Sequence, residues 1–138
     1  MLPGDFSEAS GERAGQALIR LMALAEGPDA VFAGNDMMAL GCLAAFGRAG
    51  ISVPRDIALA GFDDIPICRY VHPALTTMRV PIVELGALAL TELAAAIETP
   101  DRRHAEIHTL RAELVVRESC RTQRSDTSAN TQPGDGPP

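Results

Sequence analysis

The sequence predicts an α/β fold built on a parallel sheet. Two short apolar runs, residues 30–34 and 57–62, are bounded by turn residues and are too short for helices, so we expect buried strands. The segment between them, 36–49, is long and apolar enough for a helix that crosses from one strand to the next. A strand–helix–strand unit implies parallel pairing and a right-handed connection.

Helices are expected on either side of the first strand. Residues 8–26 carry an apolar stripe at helical spacing that ends at Gly27-Pro28. For the helix over 36–49, Asp36 is a candidate N-cap and Gly50 a C-terminal stop. This second helix is apolar nearly all round, so we expect two of its faces to be covered.

The second half of the chain continues the alternation. Residues 63–75 form a loop with two prolines, and 76–80 are extended. Pro81 suits a first helical turn, and the apolar spacing that follows predicts a helix over 82–97. Residues 114–116 are expected to form a last strand.

The C-terminal segment 121–138 differs from the rest of the chain. It holds no aliphatic side chain larger than that of Ala129, so it cannot bury enough apolar surface to offset the entropy lost on ordering. We therefore predict one folded domain over residues 1–120 and a disordered tail over 121–138.

Composition excludes several classes of function. The chain has 138 residues and a formal net charge of −6, and all 12 of its basic residues are arginine. A free-standing nucleic-acid binder normally carries a basic patch. No apolar run is long enough for a membrane span, and the N-terminus lacks a secretory signal pattern. The three cysteines are widely spaced, which favours reduced thiols and a cytoplasmic location.

Polar side chains follow both strands of the central unit. Asn35 and Asp36 come after the first strand, and Asp63 and Asp64 after the second. Ligands of parallel sheets bind outside the carboxyl ends of the strands. Carboxylate and amide groups suit a ligand with several hydroxyl or ring N–H groups, and Phe6 can supply a flat face.

Each of these residues also has a purely structural interpretation. Asp36 can be only a helix cap, Asp64 a loop turn or cap, and Phe6 a core contact. A magnesium site at Asp63 and Asp64, as in a phosphoacceptor domain, is a further alternative. That chemistry also needs a distant lysine, and the chain has none.

Catalytic motifs are absent from the sequence. His104 and His108 do not form a zinc-protease pattern, and His72 has no evident base partner. No nucleophile elbow or glycine-rich phosphate loop occurs. We therefore expect a protein that is not an enzyme and that needs neither a metal nor another cofactor.

Four segments in a fixed order carry a family resemblance. They are 30–41 (AVFAGNDMMALG), 53–66 (VPRDIALAGFDDIP), 73–77 (PALTT) and 113–119 (ELVVRES). Together they resemble the effector-binding domain of the LacI/GalR family of bacterial transcriptional regulators. The resemblance implies a type I periplasmic-binding-protein-like subdomain that binds a small effector, most often a sugar or nucleoside.

The resemblance also implies roles for particular residues. Asn35 and Asp63 fall on positions that hydrogen-bond the effector, and Phe6 falls on the aromatic position that packs against it. Asp36 and Asp64 are expected to support them. The helix over 39–50 and the loop around 68–70 fall near the family's dimer interface, so a homodimer or a heterodimer with related regulators is expected.

Departures from the family pattern limit what this chain is expected to do. The residues match only the second sensor subdomain, so the DNA-binding domain, the hinge and the usual effector-binding arginine have no counterpart here. DNA binding by this chain alone is not expected. The apolar stripe of helix 82–97, which packs on the first subdomain in the family, would lack its partner. A periplasmic-type sugar-binding module and a dimerisation module acting on intact regulators stay open as alternatives.

Overall fold

The computed structural model describes residues 1–98 and 107–120, and its elements alternate as the sequence predicts. In chain order they are α1 (Glu8–Ala23), β1 (Ala30–Phe32), α2 (Asp36–Arg48), β2 (Ala58–Asp63), a 3-10 turn (Pro66–Arg69), β3 (Thr76–Arg79), α3 (Ile82–Glu98) and β4 (Glu113–Val115). The predicted disorder of 121–138 and the prediction for His104 lie outside the described residues.

Element ends differ from the prediction by a few residues, and α1 differs most. It ends at Ala23 instead of residue 26. Ala25 has a φ of 57°, and the N–H groups of Ala25 and Glu26 turn back to carbonyls of Met22 and Leu21. This left-handed residue stops the helix, a common way for a helix to end.

The sheet has the order β1-β2-β3-β4. Phe32 of β1 lies opposite Ala60 of β2 in a parallel pair, and β2 and β3 are also parallel. Among the described strands, β4 alone runs antiparallel, with Leu114 opposite Met78 of β3. The predicted parallel unit is therefore confirmed, and the three parallel strands end at one edge of the sheet.

The core lies between the sheet and two helices. α2 packs against α1 on one side and β2 on the other, which explains why α2 is apolar nearly all round. The largest fully buried apolar side chains are Phe46, Ile57, Leu59 and Leu75.

α1 and α2 meet with their backbones in contact. A Cβ atom on Gly41 would overlap the carbonyl oxygen of Glu8, and a Cβ atom on Gly11 would overlap that of Met38. Glycine is required at both positions because the helices are too close for any side chain.

Ser119 joins the ends of β2 and β3. Its N–H donates to the Ala74 carbonyl at 3.0 Å, and its own carbonyl accepts from Leu59 N–H at 2.9 Å. Its hydroxyl donates to the Leu59 carbonyl at 2.6 Å and accepts from Thr76 N–H at 2.8 Å. Four hydrogen bonds thus hold this fully buried serine between the two strands.

α3 lies apart from the core. None of its residues is buried, and six of its seven large apolar side chains are between 48% and 86% exposed, with Leu88 half-buried. The described residues thus leave the apolar stripe of α3 uncovered, and its packing on a first sensor subdomain stays a prediction. Within the described residues, no helix has the length and apolar character that a membrane span requires.

The helix contact predicts opposite effects for two glycines of α2. Gly41→Ala should lower the free energy of unfolding by about 1–3 kcal/mol, because α1 and α2 must separate. Gly47 has open space around its Cβ position, so Gly47→Ala should raise stability by up to about 1 kcal/mol through helix propensity. Urea denaturation followed by circular dichroism measures both. Equal effects at the two positions would contradict the backbone contact.

The exposure of α3 predicts weak protection of its amides. A helix that buries no side chains has only marginal stability of its own, so it opens without global unfolding. Amide hydrogen exchange should be much faster over residues 86–98 than over the buried turns of α2. Protection of both helices at the level of the global unfolding free energy would show that α3 is packed in solution.

Candidate functional site

The three predicted effector-binding residues are placed by elements that meet at the carboxyl edge of the parallel strands. Asp63 is the last residue of β2, and Asn35 stands just before α2, three residues after the end of β1. The register sets Phe32 opposite Ala60, three residues before Asn35 and Asp63 respectively. Phe6 reaches the same edge from the segment before α1.

Asn35 is the N-cap of α2. Its Oδ1 accepts a hydrogen bond from Met38 N–H at 2.9 Å, and its Nδ2 donates to the Phe6 carbonyl at 2.9 Å. The prediction that Asp36 caps this helix was therefore wrong. Asn35 has the extended backbone of a cap residue, whereas Asp36 already lies in the first helical turn. The Asn35 amide keeps one N–H and one lone pair for other partners.

Phe6 presents its ring to solvent at this edge. The residue is 65% exposed, so the alternative that it is a core contact was wrong. Its ring lies 3.5 Å from the position of a Cβ on Gly34, in the turn between β1 and Asn35. The Phe6 carbonyl accepts a hydrogen bond from Asn35, so the backbone that carries the ring is fixed at the site.

Asp36 is fully buried and connects three parts of the fold. Its Oδ1 accepts from the Thr77 hydroxyl of β3 at 2.5 Å, and its Oδ2 accepts from Ile65 N–H at 2.9 Å. A Cβ on Gly61 of β2 would overlap Oδ1, so the strand makes room for this carboxylate. These contacts are structural and leave no face of Asp36 open to solvent.

Both carboxylate oxygens of Asp64 are also occupied by contacts within the fold. Its side chain is 2% exposed, with Oδ1 at 2.5 Å from Arg117 Nη2 and Oδ2 at 2.7 Å from Arg79 Nε. Burial raises the pKa of Asp64, but the hydrogen bonds and charges of Arg117 and Arg79 outweigh it and leave the pKa below its usual value. The magnesium alternative is disfavoured because two arginines already neutralise one of its two carboxylates.

Arg117 and Arg79 were not identified from the sequence. Arg79 lies opposite Asp63 in the β2–β3 register, so strand alignment could have suggested it. Arg117 lies 53 residues from Asp64, and no local pattern links the two.

Asp63 differs from the other two acids. Its backbone has a φ of 115°, and within residues 1–98 and 107–120 its carboxylate forms no hydrogen bond or ion pair. Burial, followed by the charge of Asp36, raises the pKa of Asp63. A partly exposed carboxylate without a partner is an available acceptor for a ligand.

The arrangement favours binding over catalysis. Asp63 offers acceptor oxygens, Asn35 offers one donor and one acceptor, and Phe6 offers an aromatic face. None of them is a nucleophile held by a base. Cys68, which lies near Asp36, is fully buried, and burial together with Asp36 raises the pKa of its thiol to about 12. It is therefore protonated and unreactive at neutral pH.

Comparison with known proteins agrees with the geometry. Residues 2–120 match the model of the periplasmic binding protein-like domain family. The probable HTH-type transcriptional repressor ExuR of Bacillus subtilis is 40% identical over 106 residues, covering 77% of this chain and 32% of that protein. A lactose operon repressor sequence of Rhizobium radiobacter is 39% identical over 101 residues, covering 73% of this chain and 88% of that sequence. The chain spans about a third of the length of ExuR and of the PurR repressors it matches.

Solved structures give the same result. A LacI family transcriptional regulator from Enterococcus faecium, with bound ribose, superposes with a TM-score of 0.74 at 34% identity, covering 86% of this chain and 42% of that one. A LacI family regulator from Arthrobacter sp. FB24, in complex with lactose, gives a TM-score of 0.70 at 30% identity, covering 85% and 43%. The chain therefore belongs to the periplasmic binding protein-like domain family and matches the sensor domain of LacI/GalR-type transcriptional regulators.

Proposed function

We propose that this chain is the ligand-sensing portion of its regulator and that Phe6, Asn35 and Asp63 form one wall of the effector site. The observation that carries this proposal is the Asp63 carboxylate, which stands at the end of β2 without a partner among the described residues. Leaving a partly buried charge unpaired is unfavourable unless a ligand uses it.

The chemistry of the wall fits a polyhydroxylated effector, most simply a sugar. A carboxylate accepts two hydroxyl hydrogen bonds, an amide reads one donor and one acceptor, and an aromatic ring packs on the apolar face of a sugar ring. Relatives support the class of ligand, because regulators from Enterococcus faecium and Lactobacillus casei hold ribose and sucrose respectively.

The regulatory role belongs to the whole protein. Effector binding changes DNA affinity only when a sensor and a DNA reader are coupled, so this acidic chain alone binds no operator. We propose that the regulator works in the cytoplasm without a cofactor and is not an enzyme. It would form a homodimer, or a heterodimer with related regulators, near residues 39–50 and 68–70, where Tyr70 is 79% exposed.

Two other functions place different demands on the same chain. A periplasmic-type sugar-binding module would share the wall but act outside the cytoplasm. A dimerisation module would act on intact regulators and would not depend on Asp63.

Sugar binding at the wall is testable on the isotope-labelled full chain. Titration with ribose, sucrose, lactose and guanosine should shift the amide resonances of Phe6, Asn35 and Asp63 for at least one ligand. One wall alone should give a dissociation constant of about 1 mM, roughly −4 kcal/mol. Asp63→Asn should weaken binding about tenfold or more, because a hydrogen bond to a charged group is lost.

Asp29→Asn is the matched control, since Asp29 is an exposed acid at the opposite end of β1. It should leave the affinity unchanged. The proposal is wrong if none of the four ligands shifts these resonances, or if Asp63→Asn binds as tightly as the wild type.

The raised pKa of Asp63 predicts that Asp63→Asn, which weakens ligand binding, stabilises the fold. An acid whose pKa is higher in the folded state destabilises that state above the folded pKa and has no effect below the unfolded pKa of about 4. Asp63→Asn should therefore raise the urea midpoint at pH 7, and the gain should vanish at pH 3. A loss of stability at pH 7 would mean that the carboxylate has a stabilising partner in solution.

A further inference from the structure

Two consecutive residues, the last of β2 and the first after it, have an unusual backbone conformation. Asp63 has a φ of 115° and Asp64 a φ of 58°, and neither is glycine. Residues with a Cβ atom rarely adopt positive φ, so contacts elsewhere must hold them there.

Asp64 supplies the strongest of these contacts. Its carboxylate bridges Arg79 on β3 and Arg117 beyond β4, two segments that lie beside each other through β3–β4 pairing. Arg117 is itself fixed, because its Nη1 donates to the Leu75 carbonyl at 2.7 Å and its backbone N–H donates to Thr76 Oγ1 at 2.8 Å. The Arg117 arm of the anchor is therefore rigid and largely buried.

Weaker contacts hold the backbone N–H groups of Asp64 and Ile65. Ile65 N–H donates to the buried Asp36, and Asp64 N–H lies 3.4 Å from Thr77 Oγ1. Asp63, the last residue of β2, thus stands between the strand pairing and a fixed Asp64, while its own carboxylate takes no part in the anchoring. Asp64 therefore holds the loop, and Asp63 is left to face a ligand.

We propose that Asp64 is a positioning residue of the effector site: through Arg117 and Arg79 it holds Asp63 at the positive φ that keeps the Asp63 carboxylate free for the effector. This inference rests on the proposed function of Asp63. It predicts that Asp64 and Arg117 determine affinity for a ligand that neither of them touches.

The test uses the isotope-labelled full chain with Asp64→Asn and Arg117→Met. Asparagine keeps the shape of Asp64 and tolerates positive φ, so Asp64→Asn removes the charge and little else. Two measurements are made on each variant. The HN–Hα coupling and ¹³C shifts of Asp63 report its φ, and titration with whichever of the four ligands binds the wild type reports affinity.

Both variants should shift Asp63 toward ordinary negative φ and weaken ligand binding about tenfold. Arg117→Lys should recover part of both properties, since it keeps one charged donor. Arg79→Met serves where Arg117→Met fails to fold, because Arg79 is 46% exposed and supplies only one arm of the anchor. Arg48→Met removes the exposed pair of Arg48 with Glu12 and should change neither measurement.

Loss of stability without a change in the φ of Asp63 or in affinity overturns the proposal, since Asp64 would then be a structural residue only. Unchanged affinity with a shifted φ overturns it as well. A wild type that binds none of the four ligands contradicts the proposed function instead, while the φ of Asp63 in the variants still decides whether Asp64 holds it.

Discussion

The buried carboxylate of Asp36 is the constraint on which the rest of the site depends. A buried charge is tolerated only where hydrogen bonds replace its hydration, and here the Thr77 hydroxyl and Ile65 N–H do so at the positive end of the α2 dipole. Gly61 leaves the space that the carboxylate occupies. One side chain therefore fixes α2, β3 and the loop after β2 relative to one another.

The contacts made by Asp36 leave the neighbouring acids Asp63 and Asp64 with different roles. Asp64 meets two arginines that lower its pKa, whereas burial and then the charge of Asp36 raise the pKa of Asp63. Asn35 divides its amide between capping α2 and holding Phe6. Residues of the same type thus serve either the structure or the ligand according to what the strands place beside them.

The elements were predictable because each follows from a local pattern. Short apolar runs gave the strands, and stripes at helical spacing gave the helices. The side-chain contacts between distant residues were not predictable from local patterns. Asn35 and Asp36 are both good caps, and the choice between them depends on Thr77, 41 residues from Asp36. Arg117 could not be paired with Asp64 because only the folded sheet brings them together.

Ser119 has a consequence for the order in which the chain assembles during synthesis. Its hydroxyl binds Leu59, 60 residues earlier, and its backbone completes the edges of β2 and β3. A ribosome releases α1, β1, α2 and β2 well before residue 119 emerges. Until then the strand ends that Ser119 later joins have unpaired backbone groups. The last step of sheet formation therefore waits until residue 119 has left the ribosome, and a nascent chain stopped before this serine keeps unpaired strand ends accessible to chaperones and proteases.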